Sequence, residues 1–276
     1  MKQKILLMAS LLACANLFAV VSPATQGGTT QTIQATQADQ TAQAAAQTTR
    51  TIQAAQADQT AQTAQAAQKP NVVIFGDSYS TFEGYIPEGY DCWYFKPGRN
   101  LNDVTAVEQT WWHLLADTLG YNILQNNSWS GATVSYSGYR GSDYAPRAFT
   151  TRMKLFPDLK PTPDLILILC ATNDSWADSP LGEPKYADWL VDDLYQTLPA
   201  YCYMLDYLTR KFPDTQLLVI HNDGLKEELT KGVMQICEHY QVPFLQLEGI
   251  DKQRGHPSIK GMQQICRQVA VELARP

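Results

Sequence analysis

Two residues capable of acyl-transfer chemistry stand far apart in this chain: Ser78 in Gly76-Asp77-Ser78-Tyr79 and His256 in Gly255-His256-Pro257-Ser258. A serine hydroxyl becomes a useful nucleophile when an imidazole within hydrogen-bond reach takes its proton. If the two side chains meet, the chain has the means of serine hydrolysis. Two polar segments between them bear on such a site. Asn126-Asn127-Ser128-Trp129-Ser130-Gly131-Ala132-Thr133 contains Gly131, whose backbone N–H can face a ligand with no side chain in the way. Ala171-Thr172-Asn173-Asp174 can point the Asn173 amide into a cleft. Each has a plainer role taken singly: a serine after a strand caps a helix, and an asparagine sits in a turn.

The elements around these residues give them a common address. Asn71-Val72-Val73-Ile74-Phe75 is an apolar, β-branched run and reads as a buried strand ending just before the Ser78 segment. Further strands are predicted over Ile123–Gln125, Leu165–Leu169 and Leu217–Ile220, with a shorter one over Pro243–Leu247. Helical periodicity separates them. It covers Val107–Leu119 (ended by Gly120), Leu190–Phe212 (bent or restarted at Pro199), Leu225–Tyr240 and Ile259–Leu273, with Pro257 and Ser258 near the last helix's first turn. Strands alternating with helices predict a parallel sheet covered on both faces. Right-handed crossovers then place Ser78, Asn127 and Asn173 on one sheet edge, beyond the carboxyl ends of the strands.

Taken in order, the four segments resemble the blocks of the SGNH, or GDSL-type, hydrolase family of esterases and lipases. Gly76-Asp77-Ser78 is similar to its first block, Gly131 to its second, Asn173-Asp174 to its third and His256-Pro257 to its last. The resemblance extends over residues 69–276. It implies a three-layer α/β/α sandwich with a flavodoxin-like parallel five-stranded sheet. It also implies that Ser78 attacks an ester carbonyl with His256 as base. The oxyanion would be held by the Ser78 and Gly131 backbone N–H groups and the Asn173 amide, with no metal and no cofactor. Two positions depart from the pattern. Three residues before His256, where the family has aspartate, stands Gln253; the nearest acid is Asp251. Asp251 is therefore the candidate third catalytic member, with Gln253 or a backbone carbonyl as the other groups able to orient the imidazole. Ala171 stands where the third block has glycine.

Aromatic residues crowd these segments. Phe82, Tyr85, Tyr90 and Trp93 lie between Tyr79 and Tyr94, while Trp129 and Trp176 flank the second and third blocks. Rings beside a polar cleft suit stacking on a sugar or lining an acyl pocket, so Tyr79, Trp129 and Trp176 are candidate substrate-binding residues; packing of a long loop is the other reading. Among the remaining histidines, His113 and His239 read as helix residues, and His221 ends a strand.

The amino terminus reads as an address. Met1-Lys2-Gln3-Lys4 is basic, Ile5 to Val21 is apolar apart from Ser10 and Asn16, and Ser22 and Ala24 have the spacing of a signal-peptidase site. This predicts a signal peptide over 1–24 and a protein exported by a bacterium: periplasmic, secreted or surface-attached. Leu11-Leu12-Ala13-Cys14 also resembles a lipobox, and membrane attachment follows only if Cys14 is lipidated. Residues 25–68 are nearly all Gln, Thr and Ala, and the stretch Thr32 to Gln43 recurs from Thr51 to Gln62 with one change. Too few large apolar side chains are present to offset ordering, which predicts a disordered tether. Residues 69–276 then form the catalytic domain. A net charge of −6 with no basic block argues against nucleic acid as a partner. The cysteines beyond the signal, Cys92, Cys170, Cys202, Cys237 and Cys266, are odd in number and widely spaced, which makes no disulfide framework. The expected function is an exported serine esterase that removes acetyl or other short acyl groups from a carbohydrate. An O-acyltransferase using the same serine, and a glycan-binding protein on a degenerate scaffold, are the alternatives.

Overall fold

The computed structural model describes residues 69–98 and 102–275, with a few positions between 47 and 54. The chain divides into two units, Met1–Ala66 and Ala67–Pro276. The expected signal segment, Cys14 and nearly all of the Gln/Thr/Ala-rich segment lie outside the described residues.

The second unit is built on five parallel strands: β1 (Asn71–Gly76), β2 (Asn122–Ser128), β3 (Leu165–Cys170), β4 (Gln216–His221) and β5 (Phe244–Gln246). Their order across the sheet is β2-β1-β3-β4-β5, as in flavodoxin-like folds. Strand residues alternate between two cores because successive side chains leave opposite faces. Val73, Phe75, Ile166, Ile168 and Val219 enter one core, and Val72, Ile74, Leu167, Leu169, Leu218 and Ile220 the other. Burial on both faces explains why these strands read as continuous apolar runs.

The helices are α1 (Trp111–Leu119), α2 (Phe149–Arg152), α3 (Thr172–Trp176), α4 (Thr197–Lys211), α5 (Glu227–Tyr240) and α6 (Ile259–Leu273). α1 packs with α6 on one face of the sheet, and α4 with α5 on the other. Two predicted helices are shorter than expected. The tract from Val107 breaks at Thr110, which is extended; a 3-10 turn over Val107–Gln109 precedes α1. The tract from Leu190 restarts at Thr197 after extended Gln196, so Pro199 falls in the first turn of α4, where its missing N–H has no intrahelical partner to lose.

Sheet order decides what meets at the catalytic edge. β1 lies between β2 and β3, so the segments leaving these three strands are neighbours without further folding. The segment after β5 starts two strands further away and must return across the edge. It does so as a small antiparallel hairpin, β6 (Lys252–Gln253) and β7 (His256–Pro257), which the sequence pattern does not show. Its two turn residues, Arg254 and Gly255, have φ of 52° and 78°. Positive φ at both central positions is the turn that matches strand twist, and it is why glycine stands beside His256.

Candidate active site

Ser78 leaves β1 in a 3-10 turn over Ser78–Ser80, and the turn is held by what surrounds it. Asp77 caps it by accepting from the Tyr79 N–H, at 3.0 Å. Trp111 Nε1 donates to Ser80 Oγ, and Trp112 Nε1 and Asn126 Nδ2 donate to the Ser80 carbonyl. Gly76 permits this crowding: a Cβ there would sit 2.6 Å from Ser128 Oγ and from the Ser80 side chain.

His256 arrives on the hairpin with Nε2 3.0 Å from Ser78 Oγ. Its Nδ1 lies 3.2 Å from the Arg254 carbonyl. A carbonyl can only accept, so Nδ1 carries the proton and Nε2 presents its lone pair to the serine hydroxyl. Ser78 is 2% exposed and His256 6% exposed. Burial pushes the imidazole pKa down to about 4, with the Arg254 carbonyl opposing and nearby Lys252 reinforcing the shift. The imidazole is therefore neutral at neutral pH and able to accept a proton, and its protonated form would then need stabilising. Two buried hydroxyls fix the hairpin: Tyr79 donates to the Gly255 carbonyl at 2.7 Å, and Tyr94 to the Pro257 carbonyl at 3.0 Å.

The expected third member does not reach the imidazole. Asp251 precedes the hairpin, and its carboxylate accepts from Ser258 Oγ, the residue that caps α6. Its position is set by the helix start rather than by the base. Gln253 lies across the hairpin from His256 in register, but its Oε1 accepts from the Asp103 N–H. Of the three groups able to orient the ring, the structure brings the backbone carbonyl, that of Arg254.

The residues expected to supply the oxyanion donors lie at the same edge. Gly131 has φ of 81° in the turn after β2. Asn173 is buried in α3, where Nδ2 donates to the Ala132 carbonyl at 3.0 Å and Oδ1 accepts from the Tyr139 hydroxyl at 2.8 Å. An amide nitrogen has two protons, so one remains for a ligand. Burial pushes the Tyr139 pKa up to about 12, which keeps it a neutral donor. Asp174, next in α3, accepts from the Val134 and Ser135 N–H groups and so ties the second block to the third. Ala171 takes the left-handed conformation, with φ of 71°. Without glycine that costs about 1 kcal/mol.

Beneath the nucleophile turn lies a buried charge that sequence inspection missed. Arg152 donates to the Gly76 and Asn127 carbonyls, to Asn127 Oδ1 and to the Arg147 carbonyl, joining the ends of β1 and β2. Burial pulls its pKa down to about 9. Burial also pushes the Asp77 carboxyl up to about 7, opposed by the Tyr79 N–H, the neighbouring Thr172 hydroxyl and the Arg152 charge. Arg152 sits in a stretch with no motif, so no local signal marks it.

The three candidate substrate rings separate. Tyr79 is fully buried and serves the hairpin, so its ring is closed to a substrate. Trp129 is stacked on Tyr90 at 4.0 Å, donates to Asp91 and is covered by the Arg147 guanidinium. Trp176 is 42% exposed with its ring 5.8 Å from that of His256, and it forms a wall of the catalytic edge. Trp93, from the aromatic loop, lies flat on the His256 ring with centroids 3.5 Å apart. His221 is buried against Thr230 and Phe244. Among the described residues no group of three His, Cys, Asp or Glu could hold a metal, and Cys92, Cys170, Cys202, Cys237 and Cys266 are all free.

Comparison with known proteins bears on the family and the fold. A family model described as GDSL-like Lipase/Acylhydrolase matches residues 70–273. A crystal structure of a GDSL-like lipase from Bacteroides ovatus is 45% identical, with a TM-score of 0.72 over 75% of this chain and 98% of the other. A second, from Bacteroides uniformis, is 44% identical, with a TM-score of 0.72 over 75% of this chain and 97% of the other. A carbohydrate esterase shares the fold at 17% identity and a TM-score of 0.53, covering 76% of this chain and 70% of its own. No match is found among curated proteins.

Proposed function

The chain belongs to the GDSL-like lipase/acylhydrolase family, and from that premise we propose that it is an exported serine esterase removing acetyl or other short acyl groups from a carbohydrate. One observation carries the mechanism: Ser78 Oγ lies 3.0 Å from His256 Nε2, and the other ring nitrogen is engaged by a carbonyl. Ser78 attacks the ester carbonyl as Nε2 takes its proton. The oxyanion is held by the Ser78 and Gly131 N–H groups and the free Asn173 amide proton. Collapse expels the alcohol, which takes the proton from the imidazolium, and water then releases the acid from the acyl-serine by the same steps.

A short acyl group is favoured by how little of Ser78 and His256 is exposed. A carbohydrate is favoured by the open Trp176 face beside them, since an indole suits the apolar face of a sugar ring. Export rests on the signal-like amino terminus. A second reading, glycan binding without turnover, is favoured by the absence of a carboxylate on His256 among the described residues. The deciding experiment treats the full chain with a fluorophosphonate probe and a short-chain aryl ester. Labelling of Ser78, with hydrolysis abolished in Ser78→Ala, is the expected result. Equal hydrolysis by Ser78→Ala would sink the serine mechanism, and glycan binding with no labelling would select the second reading.

A further inference from the structure

In serine esterases that use a triad, a carboxylate steadies the protonated histidine. Among the described residues none does so here, yet the imidazole is not left to a carbonyl alone. The Trp93 indole lies over it with centroids 3.5 Å apart and planes inclined by 10°. The Trp93 backbone N–H is bonded to Thr81 Oγ1, which fixes the loop, while the indole Nε1–H is buried with no partner. The ring therefore takes its place by stacking and not by satisfying its own donor. A tryptophan face is electron-rich and attracts a cation laid on it, more strongly once water is excluded.

We propose that Trp93 acts as the positioning residue that replaces the acid of the triad, its indole face stabilising the His256 imidazolium formed when Ser78 gives up its proton. The other groups facing the ring cannot do this. Lys252 of β6 is cationic and is paired with Asp223. Tyr79, from the turn after β1, and Tyr94, from the aromatic loop, are 5.4 Å and 6.5 Å away, tilted or edge-on, with their hydroxyls donated to carbonyls. Trp176 of α3 meets the ring at 76°, not face to face. A π face raises the imidazole pKa, while burial and Lys252 lower it, so weakening the face lowers it further.

The rate consequence rests on the esterase reading; the ionisation consequence does not. Fluorinated tryptophans placed at position 93 in the full chain keep the shape of the ring while draining charge from its face. Across mono- to tetrafluoro-substitution, kcat should fall about tenfold in all with KM unchanged. The His256 midpoint, followed by NMR, should drop by up to about one pH unit. Trp93→Leu should lose more activity than Trp93→Phe, which keeps an aromatic face. A flat fluorination series in both rate and midpoint overturns the proposal and reduces Trp93 to packing. If no ester is turned over at all, the esterase reading fails by itself, and the midpoint series still decides the role of Trp93.

Discussion

Replacing Asn173 by alanine isolates one donor of the oxyanion site and tests how that donor is held. The amide makes two bonds within the protein, to the Ala132 carbonyl and from the Tyr139 hydroxyl, and these aim its remaining proton. Loss of one such donor costs about 3 kcal/mol in the transition state, so kcat should fall about 100-fold or more. KM should change little, because the ester carbonyl carries far less charge before attack. Tyr139→Phe is the sharper probe. It leaves the donor in place and removes only the hydroxyl, a neutral hydrogen bond of net value about 1 kcal/mol, or roughly a fivefold fall in kcat. Since Tyr139 acts through Asn173, the double variant should be no slower than Asn173→Ala alone. The assay is hydrolysis of an aryl acetate, with active sites counted by fluorophosphonate titration. An Asn173→Ala enzyme within about threefold of the parent would remove the amide from the oxyanion site. A Tyr139→Phe loss that persists in full in the Asn173→Ala background would refute the coupling.

The pH profile follows from the buried base. His256 must be neutral to accept the proton, and its pKa is depressed from 6.5 to about 4, so activity is retained below neutrality and lost only as pH falls through about 4. A kcat/KM limb centred between pH 6 and 7 would contradict that burial effect. Asp251→Ala should spare kcat to within about threefold while lowering the melting temperature, because its carboxylate supports a helix start worth about 1 kcal/mol. A fall of about 10⁴ in kcat, as for a lost triad acid, would show that Asp251 engages His256 during turnover.

Much of the frame was legible because its signals are local. The three central strands are short apolar runs, and the ends of all five moved by at most three residues between expectation and structure. Helices were misjudged where periodicity ran on through an extended residue, at Thr110 and Gln196. There the backbone is set by packing and by side-chain bonds, such as Gln109 reaching back to the Thr105 and Ala106 N–H groups.

By itself the sequence determined that Ser78, Gly131 and Asn173 share an edge, since each follows a strand and parallel strands joined by crossovers end together. His256 stands just before the last helix, which places it to reach the same edge, but its role beside Ser78 was given by resemblance. What orients His256 was decided by the tertiary structure alone. Two-residue strands have no periodicity, so the hairpin left no trace, and its register sends Asp251 to Ser258 instead of to the imidazole. Trp93 and Tyr79 belong to one aromatic stretch in the sequence, yet one faces the base and the other is sealed behind it. Contacts across 163 positions of chain, closed to a few ångströms, follow from how loops pack on the finished sheet, and no local pattern encodes that distance.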